Sequence, residues 1–538
     1  MHHYYAIMKR FVILFLLVTI CLGADAQLFP WKRKKADTTK IAGLERLEEV
    51  VKMIDDNYVE SPDMDGLSET AIVAMLKALD PHSVYISAKD VQRANEALQG
   101  NFDGVGITFQ VSNDTIVVSD VIAGGPSEKV GVQIGDKIVR IDGIQATGDS
   151  ANNQFVFSHL RGTKGTVVVV DLLRQGTAYQ FHIKRDKIPI ASVDCHFMAD
   201  DTIGYIRLIR FSRNSVVEFR NALKELKKSG MTSLILDLRG NGGGYLDIAT
   251  GMANEFLPKR SLIVYTEGRK SRRQNYVSNH SGAFREGGLV VLIDENSASA
   301  SEIVSGAIQD WDRGILVGRR SFGKGLVQRM YPLKDGGQIR LTTARYYTPS
   351  GRCIQKPYSD GTDAYRNDLA ERYKRDELVN VDSIHFADSL KYTTAHGRTV
   401  YGGGGIMPDV FVPIDTMRLT DFYINLRAKS LLNNFTLQWA DQHRGNDDVK
   451  DFETFLQNYD SFKIDSLLEV YAAEKEVVRD TAKEAANPQQ TAHSDLYLAA
   501  SVKALVARNL FGINYYYYVM RDFDEGYLKA LEVLKERH

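Results

Sequence analysis

Gly288-Leu-Val-Val-Leu-Ile-Asp-Glu-Asn-Ser-Ala-Ser-Ala-Ser-Glu302 opens the stretch that decides how this chain reads, and Ser321-Phe-Gly-Lys-Gly-Leu-Val-Gln328 closes it. The apolar run from Leu289 to Ile293 is short and flanked by Gly and by Asp-Glu-Asn, which fits a buried strand. Small residues follow, and Ile303, Ala307 and Ile308 then recur at helical spacing, so one face of a helix is expected to be buried. Ile315 to Val317 restarts a strand. The order is therefore strand, turn, a helix that begins at a run of serines, a second strand, and a lysine between two glycines. Free backbone N–H groups at a helix N-terminus favour developing negative charge, so a serine there is chemically suggestive.

A serine hydroxyl is a weak nucleophile unless a neighbouring base takes its proton. A lysine amine serves as that base if burial lowers its pKa enough to leave it neutral. Gln328 follows Lys324 by four residues, on the same face of a helix or a strand, and is placed to orient the amine. No histidine lies between Gly288 and Gln328, and no Gly-x-Ser-x-Gly surrounds Ser299, which argues against a nucleophile-elbow Ser-His-Asp hydrolase. Spacing alone leaves a second reading open. Ser-Ala-Ser-Ala-Ser is also the composition of a helix N-cap, and Gly-Lys-Gly that of a surface turn.

Ser297-Ala-Ser-Ala-Ser-Glu302 with Phe322-Gly-Lys-Gly-Leu-Val-Gln328 resembles the active-site signature of the C-terminal processing peptidases, or tail-specific proteases. The resemblance implies Ser299 as nucleophile, Lys324 as general base and Gln328 as its support. It extends to Leu79-Asp-Pro-His-Ser83, where it implies a structural role for His82 rather than that of a triad base. It also covers Leu341 to Arg352, expected as an edge strand and turn beside the substrate cleft, and Gly405-Ile-Met-Pro-Asp-Val410. Asp237-Leu-Arg-Gly-Asn-Gly-Gly-Gly244 lacks the phosphate-loop patterns. By resemblance it brings a backbone N–H to an oxyanion hole, assigned to Gly243, with Ala300 N–H as the second donor.

The chain has 538 residues and is 44% hydrophobic, enough for several buried cores. Lys plus Arg (67) balances Asp plus Glu (68), so no global field argues for nucleic acid. Three cysteines exclude a disulfide scaffold, and the sequence alone does not decide whether Cys195 and Cys353 pair. Met8-Lys-Arg10, the apolar run Phe11 to Leu22 and Ala24-Asp-Ala26 read as a secretory signal peptide. The protein is thus expected to be exported, in the periplasm, with the apolar run either removed or kept as a membrane anchor. Trp31-Lys-Arg-Lys-Lys35 reads as a solvated linker, with contact to anionic lipid as the alternative. Leu44, Leu47, Val50, Val51 and Ile54 mark an amphipathic helix.

Between Gln99 and Lys187, alternating strands and glycines resemble a PDZ domain. Its carboxylate-binding loop would be Gly104-Val105-Gly106-Ile107, offering backbone N–H groups to a peptide C-terminus beside an open strand edge. The insert from Tyr358 to His396 is charged and carries no assigned role. Beyond Asp415 the chain reads as helical. A linker is expected from Lys475 to Ser494, and Tyr515 to Tyr518 should face half inward and half toward an oligomer contact.

The expected architecture is multidomain α+β, a ClpP/crotonase-like α/β peptidase core with a PDZ domain and helical N- and C-terminal regions. The divisions are a signal peptide at 1–26, a helical region at 27–91, the PDZ domain at 92–187, the peptidase domain at 188–415 and a helical region at 416–538. The expected substrates are proteins or peptides with free C-termini. The expected partner is a second copy through the terminal helices, and no metal or organic cofactor is implied. A crotonase-like acyl-CoA enzyme and a catalytically silent PDZ scaffold are the rival readings.

Overall fold

The computed structural model describes residues 43–112, 114–279 and 282–536. The expected signal peptide and the basic patch after it lie outside the described residues. The core is a six-stranded sheet in the order Val193–Met198, Ile203–Leu208, Ser233–Asp237, Leu289–Ile293, Ile315–Gly318, Val410–Phe411. The first pair is antiparallel and every later pair is parallel.

The central strands are apolar at consecutive positions because both faces of the sheet are covered. Leu234, Leu236, Leu289, Val291 and Ile293 pack toward the helices Ser215–Lys228, Leu246–Asn254 and Ala300–Asp310. Ile235, Val290 and Leu292 point the other way, onto Tyr527, Ala530 and Leu534 of the last helix, Glu525–Lys535. Parallel strands end on the same edge of a sheet. The loops after Asp237, Ile293 and Gly318 therefore leave from one place, and they are the glycine run, the serine run and the approach to Lys324.

The serine helix departs from the expectation of a single buried face, since all eleven of its residues are buried. The reason lies in later chain. Tyr346, Ile354 and Ile406 join its core cluster, so the side away from the sheet is covered as well. The glycine at position 306 suits this, because a Cβ there would stand 2.9 Å from the Thr348 side chain.

A second, antiparallel sheet contains Gln338–Tyr347, Leu262–Gly268, Ser271–Val277, Leu326–Pro332 and Val84–Ile86. The segment expected as an edge strand is central in it. Gln338–Tyr347 pairs with three other strands, and its ten residues leave room for all of them. A two-stranded ribbon of Asn101–Gly104 on Asp186–Pro189 carries the chain into and out of a third sheet, built from residues 107–184.

The C-terminal helical region has its own aromatic core, including Phe435, Trp439, Phe452 and Phe455. The linker expected between 475 and 494 instead contains the helix Thr481–Ala486 and the start of the 24-residue helix Pro488–Phe511. Arg479 holds this stretch through Glu469, Glu484 and Asp495. The tyrosine run is also corrected, because all four rings are half-buried within the chain. Tyr515 packs on Phe452, Tyr517 donates to Asp194, and Arg521 lies over Tyr518. Cys195 and Cys353 are free thiols. The helix Leu44–Asn57 shows its apolar stripe to solvent, with Leu44 53% and Val50 45% exposed.

Arg239 links the last helix to the start of the glycine run. Its guanidinium donates to both oxygens of Asp524, at 2.7 and 2.6 Å, and to the buried Asp237. Burial pushes the Asp237 carboxyl up, but Arg239 and Arg207 outweigh it and hold it well below the usual carboxylate range. Asp524 is also the N-cap of the last helix. Asp524→Ala is expected to destabilise the fold by about 2–4 kcal/mol, by loss of a cap and of one partner of a buried charge. An unchanged midpoint in urea unfolding would contradict this.

Candidate active site

The serine run resolves into two anchors and, between them, one serine that lines a cavity. Ser297 Oγ donates to Leu238 O at 2.8 Å, and Ser301 Oγ donates to Asn241 O at 2.7 Å. Both outer hydroxyls are thereby tied to the glycine loop. Ser299, between them, turns the chain with φ 56° and ψ −110°, a conformation that L-residues avoid and that costs about 1–3 kcal/mol. Its hydroxyl lines a cavity of about 280 Å³ together with Gly243, Tyr245, Lys324, Gln328 and Arg340.

What holds the strained turn is the fully buried carboxylate of Glu302, three residues into the helix. One oxygen accepts the Ser299 N–H at 2.7 Å and the Lys324 N–H at 2.9 Å. The other accepts Ser321 Oγ–H at 2.6 Å and the Gly323 N–H at 2.7 Å. Burial pushes the Glu302 pKa up, and these donors oppose the shift. The Tyr346 hydroxyl adds a second clamp, donating to Lys324 O at 2.6 Å and lying 3.1 Å from Ser299 O. Serine turn and lysine loop are thus one hydrogen-bonded unit.

The lysine loop is packed backbone on backbone against the turn at 402–406. A Cβ on Gly323, which has φ +89°, would stand 3.1 Å from Gly405 N, so the loop cannot carry a larger residue there. Lys324 Nζ donates to Gln328 Oε1 at 3.3 Å. Gln328 is aimed by a bulge in its strand, between Val327 and Gln328, and its amide nitrogen donates to His82 O. Burial lowers the Lys324 pKa below the ordinary 10.5, Glu302 pulls it back up, and the nearby Arg340 lowers it further.

The His82 ring is held by a hydroxyl other than that of Ser299. Its Nε2 is 2.8 Å from the Tyr365 hydroxyl, and burial, with Lys324 nearby, lowers its pKa to about 4. It is neutral at ordinary pH and adds no charge to that of Arg340 beside Lys324. Asp80 folds this segment by accepting the N–H groups of His82 and Ser83 and the Ser83 hydroxyl. The insert helix Thr362–Lys374 braces the loop from outside. Buried Arg372 donates to Ser321 O at 2.9 Å and to Phe322 O at 3.3 Å.

Gly243 lies directly on the serine turn, and a Cβ there would come within 2.8 Å of Ser299 Cβ and of Ala298 O. In this structure its N–H donates to Asn241 Oδ1 at 2.9 Å, so the expected oxyanion donor is occupied. Ala300 opens the helix, and its N–H stands where helix geometry supplies no partner. In the third sheet, Val105 O accepts both the N–H and the hydroxyl of Ser127, and Gly106 O accepts Ile122 N–H. A trans peptide points its N–H opposite to its C=O, so the N–H groups of Gly106 and Ile107 turn outward beside Gly104. Strand Ile107–Ser112 is an open sheet edge there.

Sequence reading placed Ser299, Lys324 and Gln328 in one cavity but gave Glu302, Tyr346 and Arg372 no role. Glu302 carries a local signal, the Ser-x-x-Glu pattern of a capping box. Tyr346 and Arg372 carry none, because they reach the loop only through tertiary packing.

Comparison with known proteins agrees with this architecture. The model of peptidase family S41 matches residues 202–362, and that of the PDZ domain matches 104–184. The activating protease CtpB N-terminal domain matches 23–90, and a family of unknown function matches 422–512. A carboxy-terminal-processing protease of Bartonella bacilliformis is 38% identical over 341 residues, which are 62% of this chain and 77% of that protein. Carboxy-terminal processing protease CtpB of Bacillus subtilis is 33% identical over 329 residues, 60% of this chain and 68% of that one. A solved photosystem II D1 C-terminal processing protease aligns at 25% identity over 69% of this chain and 94% of its own, with a TM-score of 0.36. Fold and relatives define a PDZ-containing serine endopeptidase with an S41 core. The chain belongs to the carboxy-terminal processing protease family.

Glu302→Gln keeps the shape but turns an amide N–H₂ toward donors, leaving at least one of them without an acceptor. Stability is expected to fall by about 2 kcal/mol or more. Turnover should drop by orders of magnitude as the two loops separate. Chemical unfolding and peptide hydrolysis on the same preparation check both, and a variant near the parent in either would contradict the clamp.

Proposed function

We propose that Ser299 is the nucleophile and Lys324 the general base of this peptidase, and that Gln328 positions the amine. The observation that carries the reading is the Glu302 carboxylate, which binds the backbones of Ser299 and Lys324 with one oxygen. The lowered Lys324 pKa agrees with it. Neutral Lys324 Nζ takes the Ser299 hydroxyl proton as Oγ bonds to the peptide carbonyl carbon. The oxyanion rests on Ala300 N–H and on Gly243 N–H once the latter leaves Asn241. The C–N bond then breaks, and the departing amine takes the proton back from Lys324. Water, deprotonated by the same lysine, attacks the ester, and Oγ leaves with the proton.

The substrate is a protein whose free C-terminal carboxylate is held by Gly104, Val105, Gly106 and Ile107, which feeds the preceding chain to the cleft. The outward N–H groups of Gly106 and Ile107 support this. The domain boundaries are those expected from sequence, with export to the periplasm by the N-terminal segment and the retained anchor as the alternative. The exposed stripe of Leu44 and Val50 supports a homodimer through the N-terminal helix.

The first test is digestion of an unfolded protein with an apolar C-terminus by the parent, Ser299→Ala and Lys324→Ala. Only the parent should cleave. Cleavage by Ser299→Ala places the nucleophile elsewhere, and cleavage by Lys324→Ala at near-parent rate removes the base. The second test is the pH profile. Because the amine works only when deprotonated, kcat/KM should rise with pH along a limb whose midpoint lies below 10.5. Lys324→Arg, which stays protonated, should remove activity altogether.

A further inference from the structure

The helical region whose family match has no assigned function borders the open edge of the PDZ sheet. Gln110 and Val111 on that edge strand, with Asn152 at the start of the helix Asn153–Leu160, share a cavity of about 520 Å³ with Asn433, Asn434 and Arg508. Among the described residues lining it, Arg508 alone is charged. Among the described residues its guanidinium has only long hydrogen bonds, from Nε and Nη2 to Asn509 Oδ1 at 3.4 and 3.3 Å. A half-buried cation with one weak amide acceptor has unused capacity for a carboxylate.

Direction follows from where a substrate carboxylate would sit. The loop Gly104–Ile107 precedes the edge strand, so a peptide anchored there runs antiparallel to the strand. Its upstream residues then lie along Thr108, Phe109, Gln110 and Val111. At about 3.3 Å per residue, Gln110 and Val111 are roughly 10–13 Å beyond the anchor, opposite residues some three to four places before the last. The cavity borders the strand at that distance from the anchor.

We propose that the helical region forms the far wall of the peptide groove, and that Arg508 selects substrates carrying an acidic side chain about three to five residues before an apolar C-terminus. The inference rests on C-terminal capture by the PDZ domain. It gives the helical region a share in substrate choice, where the PDZ loop alone reads only the last residue and its carboxylate.

The test uses the full chain carrying Ser299→Ala, so that peptides bind without being cut. Fluorescent decapeptides with the same apolar C-terminus and Glu, Gln or Lys at the fourth residue from the end are titrated by anisotropy. The Glu peptide should bind roughly 10-fold tighter than the Gln peptide, and the Lys peptide weakest. Adding Arg508→Gln should reduce the Glu-to-Gln ratio to under about 2-fold while leaving the Gln peptide's affinity unchanged, which also shows that the variant folds. Arg508→Glu should invert the order of the Glu and Lys peptides. Equal binding of Glu and Gln peptides, or a ratio that survives Arg508→Gln, overturns the proposal and leaves capture standing. If C-terminally amidated peptides bind as well as free acids, or no peptide binds, capture itself fails and the proposal with it.

Discussion

A carboxylate with no solvent contact is costly to bury, and the active region of this chain is organised around meeting that cost at Glu302. Its two oxygens need donors, and the donors come from two loops more than twenty residues apart. Ser299 N–H arrives from the helix N-terminus, while Ser321, Gly323 and Lys324 arrive from the segment after the next strand. Each charge-assisted bond contributes about 1.5–3 kcal/mol, so the set is strong enough to hold a strained serine turn. Without the carboxylate, the Ser299 turn and the lysine loop would keep, among the described residues, only the Tyr346 hydroxyl and the Phe322 N–H to Ser297 O bond between them.

The layers around this point make the burial possible. The parallel sheet delivers the glycine, serine and lysine segments to one edge. The antiparallel sheet covers the far side of the serine helix through Tyr346, and the turn at 402–406 seals the lysine loop. Lys324 is largely buried because these elements surround it, and its lowered pKa follows from that burial. His82, with its own pKa near 4, completes the enclosure without adding charge. The environment of the lysine is therefore a property of four separate segments rather than of the Phe-Gly-Lys-Gly sequence.

Much of this was legible beforehand. The runs at 234–236 and 289–293 are continuous in apolar residues, and only a strand covered on both faces needs that. The serines at 297, 299 and 301 were legible as a helix start, and Lys324 with Gln328 as a spaced pair. Three expectations failed for one reason. The serine helix was read as one-faced, Leu341 to Arg352 as an edge strand and turn, and residues 475–494 as a linker. In each case the covering or pairing chain comes from distant sequence, so local periodicity records only part of the environment.

Sequence by itself determined the order of elements, the buried character of the core strands and the residue types of the loops that follow them, because hydrophobic period and glycine placement act locally. Through the resemblance of a motif that spans one strand, it also raised the expectation that the middle serine and the flanked lysine act together. Tertiary structure alone decided that Ser297 and Ser301 are anchors, that Glu302 joins serine to lysine, and that Asn241 holds the Gly243 N–H. It alone brought Arg508 beside the PDZ edge. Hydrogen-bond direction and desolvation depend on which groups surround an atom in space, and no spacing along a chain encodes that set.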